Sequence, residues 1–396
     1  MPLKKKRTDS IRHQFPCDNC GALQSYVPGT DHLQCPYCQH ETAIPPSPEP
    51  IREYALGDAL DELSRASPKT RGPAEVLTVQ CDSCGSRFEF DQDIHSGACP
   101  YCGTPVVLKT DARPHQPESL LPFSLSEGQA RQSFRRWIGK LWFAPNDLKR
   151  FARGAERMQG LYVPYWTYDS DTVTRYSGER GDAYQVPRQV TVVVNGRRTV
   201  QTRMETRIRW TSVSGRVSRF FDDVLVGASQ TLPRKITDRL APWDLQNLEP
   251  YREAYLSGFS SQLYQVDLDE GFVQARQVMD GIIRSDVARD IGGDAQRIHR
   301  LDTRHRDTTF KHLLLPAWAA GFRFKGRKYQ FAVNGRTGKV LGDRPYSPWK
   351  VGFAALLALL VAGGAFWAWT EYEKANLETG SEIYYEPSYD LRREWR

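Results

Sequence analysis

The sequence has little of what a hydrolase or a nucleotide-driven enzyme needs. It contains no G-x-S-x-G and no H-E-x-x-H motif. The stretch NGRTGKV resembles a phosphate-binding loop, but Val333 and Val340 stand where that loop has glycine and serine or threonine. All eight cysteines belong to C-x-x-C pairs, so none is left over to act as a nucleophile. We therefore predict that the protein is not an enzyme.

A secretion signal is also missing from the start of the chain. The first ten residues, MPLKKKRTDS, are basic, but no apolar segment follows them. Because disulfides persist in oxidising compartments outside the cytoplasm, we expect these cysteines to stay reduced.

The cysteine pairs that are present form a tandem repeat. Fourteen residues separate the two pairs of each half, and the halves are offset by 64 residues. Two C-x-x-C pairs direct four thiolates to one point, which is the tetrahedral set that Zn²⁺ prefers. A redox centre is the alternative for the two C-P-Y-C copies, but prolines follow both where a long helix would be needed. We predict two structural zinc ions whose ligands are Cys17, Cys20, Cys35, Cys38, Cys81, Cys84, Cys99 and Cys102, with His32, His40 and His95 nearby but not bound.

An uncharged apolar segment lies near the C-terminus, from Val351 to Thr370. As a helix it is about 30 Å long, the thickness of the hydrocarbon core of a bilayer. Four basic residues lie in the twenty positions before it and one in the twenty after it, which predicts a cytoplasmic N-terminal body. We thus expect a single-pass protein of the inner (cytoplasmic) membrane. Glycine and alanine in the segment also permit helix–helix contact, and with it a homo-oligomer.

The rest of the chain predicts an α+β fold. Amphipathic patterns predict helices within residues 126–143 and 267–292, the latter with Phe272, Ala275, Met279, Ile282 and Ile283 on one face. Asn-Gly pairs at 195–196 and 334–335 predict β-hairpins. Proline-rich stretches predict linkers that separate the zinc ribbons as beads. The predicted domains are a basic arm and zinc ribbon 1 (1–43), a linker with a short helix (44–74), zinc ribbon 2 (75–110), a linker (111–119), the α+β body (120–348), a transmembrane helix (349–371) and an acidic tail (372–396).

One polar segment, Arg289 to His312, allows two interpretations. It places several aspartates, His299 and His305 among many arginines. It is either an ion-paired surface connection between a helix and a strand or a recognition or catalytic loop.

The order of motifs resembles a known family. The double zinc ribbon is followed by RRWIGKLWFAPNDLK, GLYVPYWTYDSDT, SRFFDDVLVGAS and TFKHLLLPAWAAGFRFKGRKYQFAVNGRTGKV, and then by one apolar segment. This pattern is similar to bacterial membrane-anchored double zinc-ribbon proteins, which are often labelled primosomal N′ (replication factor Y) helicase-like. Related proteins are membrane anchors of flotillin-like and phage-shock-type proteins. The resemblance implies no catalytic residues, and the cysteines are the site residues that carry over.

Two functions compete at this point. The first is a non-enzymatic membrane-anchored scaffold that recruits cytoplasmic protein partners, of the flotillin-like or phage-shock type, in an envelope-stress response. The alternative is a zinc-dependent nucleic-acid-binding protein without ATPase motifs of its own. The net charge of +7 and the KKKR sequence at Lys4–Arg7 favour the alternative. Basic charge beside a membrane span equally suits the anionic leaflet of a bilayer.

Overall fold

The computed structural model describes most of the chain as a mixed α/β protein with large sheets. The described residues are 12–13, 15–65, 77–80, 87–90, 94–98, 105–108, 115–147, 158–194, 197–230, 233–324, 327–343 and 346–378. The helices are α1 (Leu56–Arg65), α2 (Glu127–Lys140), α3 (Arg234–Thr237), α4 (Leu268–Ile291) and α5 (Pro348–Glu378), with 3₁₀ turns at Leu245–Asn247 and Glu253–Leu256.

Three strands are far longer than the rest: β11, β12 and β15, of 36, 31 and 30 residues. The strands in chain order are β1 (Arg12–His13), β2 (Ser25–Tyr26), β3 (His32–Gln34), β4 (Glu41–Ala43), β5 (Tyr54–Ala55), β6 (Leu77–Gln80), β7 (Arg87–Phe90), β8 (Ile94–Ala98), β9 (Pro105–Leu108), β10 (Ser119–Leu120), β11 (Gln159–Val194), β12 (Arg197–Gly227), β13 (Glu249–Pro250), β14 (Ser260–Gln262), β15 (Ala295–Phe324), β16 (Arg327–Asn334) and β17 (Val340–Gly342).

The chain divides into two compact units. The first comprises Met1–Val173, Ser218–Ile283 and Arg304–Pro345, and the second Thr174–Val217, Arg284–Thr303 and Tyr346–Arg396. The long strands run through both units. The predicted linear domain boundaries stay a prediction.

Sheet pairing in the first unit is mixed. Strand β11 pairs in parallel with β14, and β10 in parallel with β15. Strands β16 and β17 form the predicted hairpin around Asn334-Gly335, with Val333 opposite Val340. The second predicted turn, Asn195-Gly196, lies outside the described residues, although the strands on either side of it pair with each other.

An aromatic core fills the first unit. The rings of Phe123 and Phe259 stack at 4.4 Å, and Tyr162 and Trp318 meet Phe123 edge-on. Helix α2 adds Phe134, whose ring stacks on Phe331 at 3.8 Å. This helix matches its prediction and begins with a capping box, in which Ser126 and Gln129 satisfy each other's backbone N–H groups.

Helix α4 forms as predicted, but its buried stripe differs from the expected one. Ala275, Met279 and Ile283 are buried, and the stripe continues to Val287 and Ile291. The prediction for Ile282 is wrong, because 39% of its surface is exposed. Consecutive helical residues point about 100° apart, so a stripe that advances by four residues leaves Ile282 at its edge.

The C-terminal helix α5 is exposed along its apolar length. Within Pro348–Tyr372 the most apolar window of 18 residues has a mean hydropathy of 2.1, and none of that window is buried. Its length and composition suit a membrane crossing, since 25 residues extend about 37 Å.

Candidate metal centre

The first two cysteine pairs adopt one repeated backbone turn. In the first turn the Gly21 N–H donates to the Cys17 carbonyl at 2.8 Å, and the Cys17 N–H donates to the Ala22 carbonyl at 2.7 Å. The second turn has the same two bonds, from Gln39 to Cys35 at 3.1 Å and from Cys35 to His40 at 2.9 Å. Equal spacing in the sequence therefore produces equal local geometry.

The two turns bring four sulfurs together. The Sγ atoms of Cys17 and Cys38 are 3.5 Å apart, as are those of Cys20 and Cys35. All four lie within 4.8 Å of one another, close enough to bind one metal ion. Cys17 and Cys35 are buried while Cys20 is exposed. Four sulfurs can supply all four ligands of one tetrahedral metal ion.

The backbone around the cysteines favours a thiolate at one of them. The backbone N–H of His40, helped by the side chain of Asn19, lowers the pKa of Cys38 to about 6. At Cys20 a backbone N–H from Ala22 acts in the same direction, but the neighbouring thiols Cys38 and Cys35 raise its pKa to about 12. Thiolates this close repel one another, and a divalent cation removes that repulsion because it binds the deprotonated form.

His32 and His40 belong to the surroundings of the site and not to the sulfur cluster. The His32 ring lies beside the carboxylates of Asp31 and Glu41, at 3.7 and 3.6 Å. The His40 carbonyl accepts a hydrogen bond from buried Gln24, which also donates to Thr42. Gln24 thereby holds the second turn against strand β4.

The cysteine module, residues 15–44, is docked on the rest of the first unit and is not a separate bead. The Tyr26 backbone N–H donates to the Ser257 carbonyl at 3.0 Å, and the Ser257 hydroxyl donates to the Gln24 carbonyl at 2.7 Å. The Tyr26 hydroxyl reaches the Phe123 carbonyl at 3.1 Å, and its ring meets Tyr255 edge-on. The module therefore shares the aromatic core, since Tyr26, Leu33 and Ile44 are buried in it.

The second set of ligands, Cys81, Cys84, Cys99 and Cys102, lies outside the described residues, as does the side chain of His95. The described strands near it are β6 paired with β7 and β8 paired with β9. The prediction of a second ion stays a prediction.

The left-handed residue at each turn gives a testable difference. Gly21 has φ +74°, whereas its counterpart Gln39 has φ +62°, where a side chain costs about 1 kcal/mol. We expect Gln39→Gly to raise the midpoint of thermal unfolding and to slow metal release to a chelator. Gln34→Gly, in strand β3, is the matched control and should lower stability instead. A Gln39→Gly protein that loses metal faster than wild type would contradict this reading of the turn.

A second polar cluster surrounds Lys311, a residue that sequence analysis missed. The Lys311 ammonium lies 2.8 Å from Glu53 and 2.9 Å from Asp223, and its side chain is buried. Asp169 accepts the Asp223 backbone N–H at 2.6 Å and the Thr309 hydroxyl at 3.2 Å. The carboxylates of Asp169, Asp222 and Asp223 are close enough to hold a cation, and the Lys311 ammonium already offsets part of the negative charge of this cluster.

This ionic network fixes the segment before helix α1 to the sheet. Strand β5 pairs with β15, with Tyr54 opposite Phe310, and the Glu53–Lys311 ion pair lies beside that pairing. Lys311 lowers the pKa of Glu53. Burial raises the pKa of Asp169 to about 6, although the Asp223 N–H and Lys311 favour its charged form.

The raised pKa of Asp169 predicts a pH-dependent stability. The pKa of Asp169 in the folded protein lies above the ordinary value of 3.8. The contribution of Asp169 to the free energy of unfolding is therefore fully present below about pH 4 and is lost as pH rises through about 6. An asparagine keeps the acceptor for the Asp223 N–H and has no charge to bury. We expect Asp169→Asn to raise the free energy of unfolding by about 1–3 kcal/mol at pH 8 and by little at pH 4.

Urea unfolding of the detergent-solubilised chain between pH 4 and pH 8 measures this difference. Asp222→Asn is the control, because Asp222 belongs to the same cluster but is exposed and should change little. If Asp169→Asn lowers stability at pH 8, the charged form of Asp169 contributes to the network and the interpretation is wrong.

The Asp- and His-rich segment 289–312 is mostly strand. It turns at Gly292 and Gly293, both with positive φ, and β15 begins at Ala295. His299 lies 3.7 Å from Glu179, and His305 contacts Ser170 and Phe272. Neither histidine belongs to a metal-capable group among the residues that the structure describes.

Comparisons with known proteins place the chain near one relative. It is 24% identical over 346 residues to the uncharacterized protein YdjG of Bacillus subtilis (strain 168), with 74% of this chain and 96% of that protein covered. No protein-family model matches the chain. No solved structure matches it either.

Proposed function

We propose that the protein is a non-enzymatic adaptor that is anchored in the cytoplasmic membrane by α5 and recruits cytoplasmic protein partners. The observation that carries this proposal is the exposed apolar length of α5, because a helix of 25 largely apolar residues whose most apolar window is unburied is long enough and apolar enough to cross a bilayer. The excess of basic residues before the helix favours a body on the cytoplasmic side. The resemblance to membrane-anchored double zinc-ribbon proteins supports flotillin-like or phage-shock-type partners.

In this proposal the metal is structural zinc, with two ions per chain. Four sulfurs within 4.8 Å suit Zn²⁺ and leave no open position for a substrate. Each zinc ribbon is too small to bury a core of its own, so the metal supplies the missing folding free energy.

Membrane fractionation and cross-linking test the adaptor. We expect the full chain to stay with membranes after alkaline extraction, and a chain cut before Pro348 to leave them. A chimaera with an unrelated apolar helix in place of Val351–Thr370 is the control, because it keeps the anchor and changes its sequence. Cross-linking in intact cells should recover the same proteins with the wild type and the chimaera. A wild type that extracts into the soluble fraction, or that cross-links to no specific protein, would overturn the proposal.

Nucleic-acid binding is the second candidate function. It is supported by the arginine-rich stretch of β11 and β12, which carries nine arginines and three acidic residues between positions 174 and 217. Binding of double-stranded DNA and of RNA to the detergent-solubilised chain, measured at several salt concentrations, tests it. The absence of binding at low salt would remove this candidate.

A further inference from the structure

The second unit contains a two-stranded ribbon that the adaptor proposal leaves without a role. We call residues 174–194 of β11 and 197–217 of β12 the arm. The arm contains nine arginines and no lysine, and its net charge is +6. Among the described strands β12 pairs with β11 alone, so one edge of the arm has no strand beside it.

One face of the arm is cationic. The Arg188 and Arg207 guanidinium groups each lie 3.6 Å from Glu205, and the Arg209 guanidinium lies over the Tyr184 ring at 5.2 Å. Side chains alternate between the faces of a strand, so Arg203 shares this face with Arg207 and Arg209. One glutamate among them leaves the face strongly positive.

The opposite face of β12 exposes a row of apolar side chains, with Arg198 at one end of the row. Val200, Met204 and Ile208 are even-numbered and spaced four residues apart, with 60%, 55% and 44% of their surface exposed. Threonines alternate with them at positions 202 and 206. Farther along the same face, the Arg297 guanidinium lies 3.9 Å from the centre of the Trp210 ring.

These two faces make the arm the β-sheet counterpart of an amphipathic interfacial helix. Such a helix buries its apolar face at the boundary between headgroups and acyl chains, while its arginines reach back to lipid phosphates. At that depth phosphate and water also form hydrogen bonds with the unpaired backbone groups on the open edge of β12. Leaving these groups unpaired in the hydrocarbon core would be costly. We infer that the arm docks on an anionic lipid surface, with Val200, Met204 and Ile208 against the acyl boundary and Arg203, Arg207 and Arg209 on phosphates.

The inference rests on the proposed membrane attachment in one respect. A helix that holds the chain in a bilayer raises the effective concentration of lipid around the arm, so modest intrinsic affinity is enough. Each arginine near an anionic surface strengthens association about fivefold, and the effect falls within a Debye length.

Lipid explains the arm better than nucleic acid does. The phosphates of a nucleic acid and those of a bilayer would bind the arginine face equally well. The outer surface of a nucleic-acid duplex, however, consists mainly of sugars and phosphates and offers no continuous apolar layer that would cover Val200, Met204 and Ile208 at the same time. Exposed apolar side chains opposite a cationic face are the combination that a headgroup boundary covers.

The test uses the full chain in nanodiscs and measures hydrogen exchange of the amides in residues 198–210. One disc contains phosphatidylcholine alone and the other equal parts of phosphatidylcholine and phosphatidylglycerol. We expect exchange about tenfold slower in the anionic disc, and loss of this protection at high salt. Arg203→Gln, Arg207→Gln and Arg209→Gln combined should weaken association about a hundredfold and restore the exchange seen in the neutral disc.

A second variant separates the two faces. Met204→Thr with Ile208→Thr keeps residues that favour strands and should also reduce protection in the anionic disc. Equal exchange of wild type in both discs overturns the inference, and so does protection by double-stranded DNA without protection by lipid. A chain that fails to enter discs contradicts the anchor instead. Its sedimentation with phosphatidylglycerol-containing vesicles, compared between wild type and the arginine variant, then decides for or against the arm.

Discussion

Replacing Cys35 with serine is expected to release one metal ion per chain and to unfold the cysteine module of residues 15–44. The Cys35 side chain is fully buried, and its sulfur lies 3.5 Å from that of Cys20. The three strands of the module have two or three residues each, which is too few to fold without help. Structural zinc contributes about 10–16 kcal/mol of folding free energy to peptides of this kind at neutral pH.

Metal analysis and limited proteolysis measure both parts of this prediction. We expect the zinc content to fall from two ions to one, with new cleavage sites between residues 15 and 44. Cys99→Ser is the matched control in the other predicted module and should lose one ion while residues 15–44 stay protected. His40→Ala should keep both ions, because only the backbone of His40 supports the site. A Cys35→Ser protein with full metal content would show that the four sulfurs are not a metal site.

The loss should also reach beyond the module. Tyr26 bonds to Ser257 and Phe123 and packs on Tyr255, so unfolding of residues 15–44 exposes part of the aromatic core. We therefore expect the thermal midpoint of the first unit to fall with Cys35→Ser.

The first metal centre could be predicted from sequence because its chemistry is local. Each C-x-x-C turn is closed by hydrogen bonds within six residues, from Cys17 to Ala22 and from Cys35 to His40. Equal spacing between the pairs then sets four sulfurs in one place. Where the module docks could not be predicted, since Tyr26 and Ser257 are 231 positions apart and neither has a local signal.

The ionic network around Lys311 could not be predicted either, because its members are also far apart in the sequence. Glu53 and Lys311 are separated by 258 positions, and isolated charges in a sequence usually belong to a solvated surface. Only the long strands β11, β12 and β15 and the short strand β5 bring these carboxylates to one buried ammonium. The sequence FFDD contains two of the acidic residues, and its strand propensity did not reveal that Asp223 adopts a positive φ of 51° beside Asp169.

The arm shows a further limit of pattern analysis. Alternation in QTRMETRIRW predicts a strand, and the structure has one there. Alternation is normally a sign that one face is buried, yet Val200, Met204 and Ile208 are exposed. Which face of a strand meets protein, lipid or water depends on neighbours that a single strand does not encode.

The hairpin at Asn334 carries the second large effect. The Asn334-Gly335 pair predicts the turn, but the Asn334 side chain also forms hydrogen bonds outside the turn. It is fully buried, and its amide nitrogen donates to the carbonyls of Leu240 and Pro242 at 3.0 and 3.1 Å. Its oxygen accepts the backbone N–H groups of Arg336 and Thr337 at 2.8 and 3.0 Å. One side chain thus joins the hairpin to the segment after α3.

Asn334→Ala is expected to lower the free energy of unfolding by about 3–5 kcal/mol, because it removes four hydrogen bonds of a fully buried side chain, one of them buried and three partly buried. Urea unfolding of the solubilised chain, followed by tryptophan fluorescence, measures the loss. Asn334→Asp separates the two halves of the interaction, since a carboxylate still accepts from Arg336 and Thr337 but cannot donate to Leu240 and Pro242. Thr337→Ala, which keeps the backbone N–H and removes only a side chain, should cost less than either. If Asn334→Ala costs no more than Thr337→Ala, the buried amide does not hold the hairpin, and the turn depends on Gly335 alone, where an added Cβ would lie 2.7 Å from the Phe123 ring.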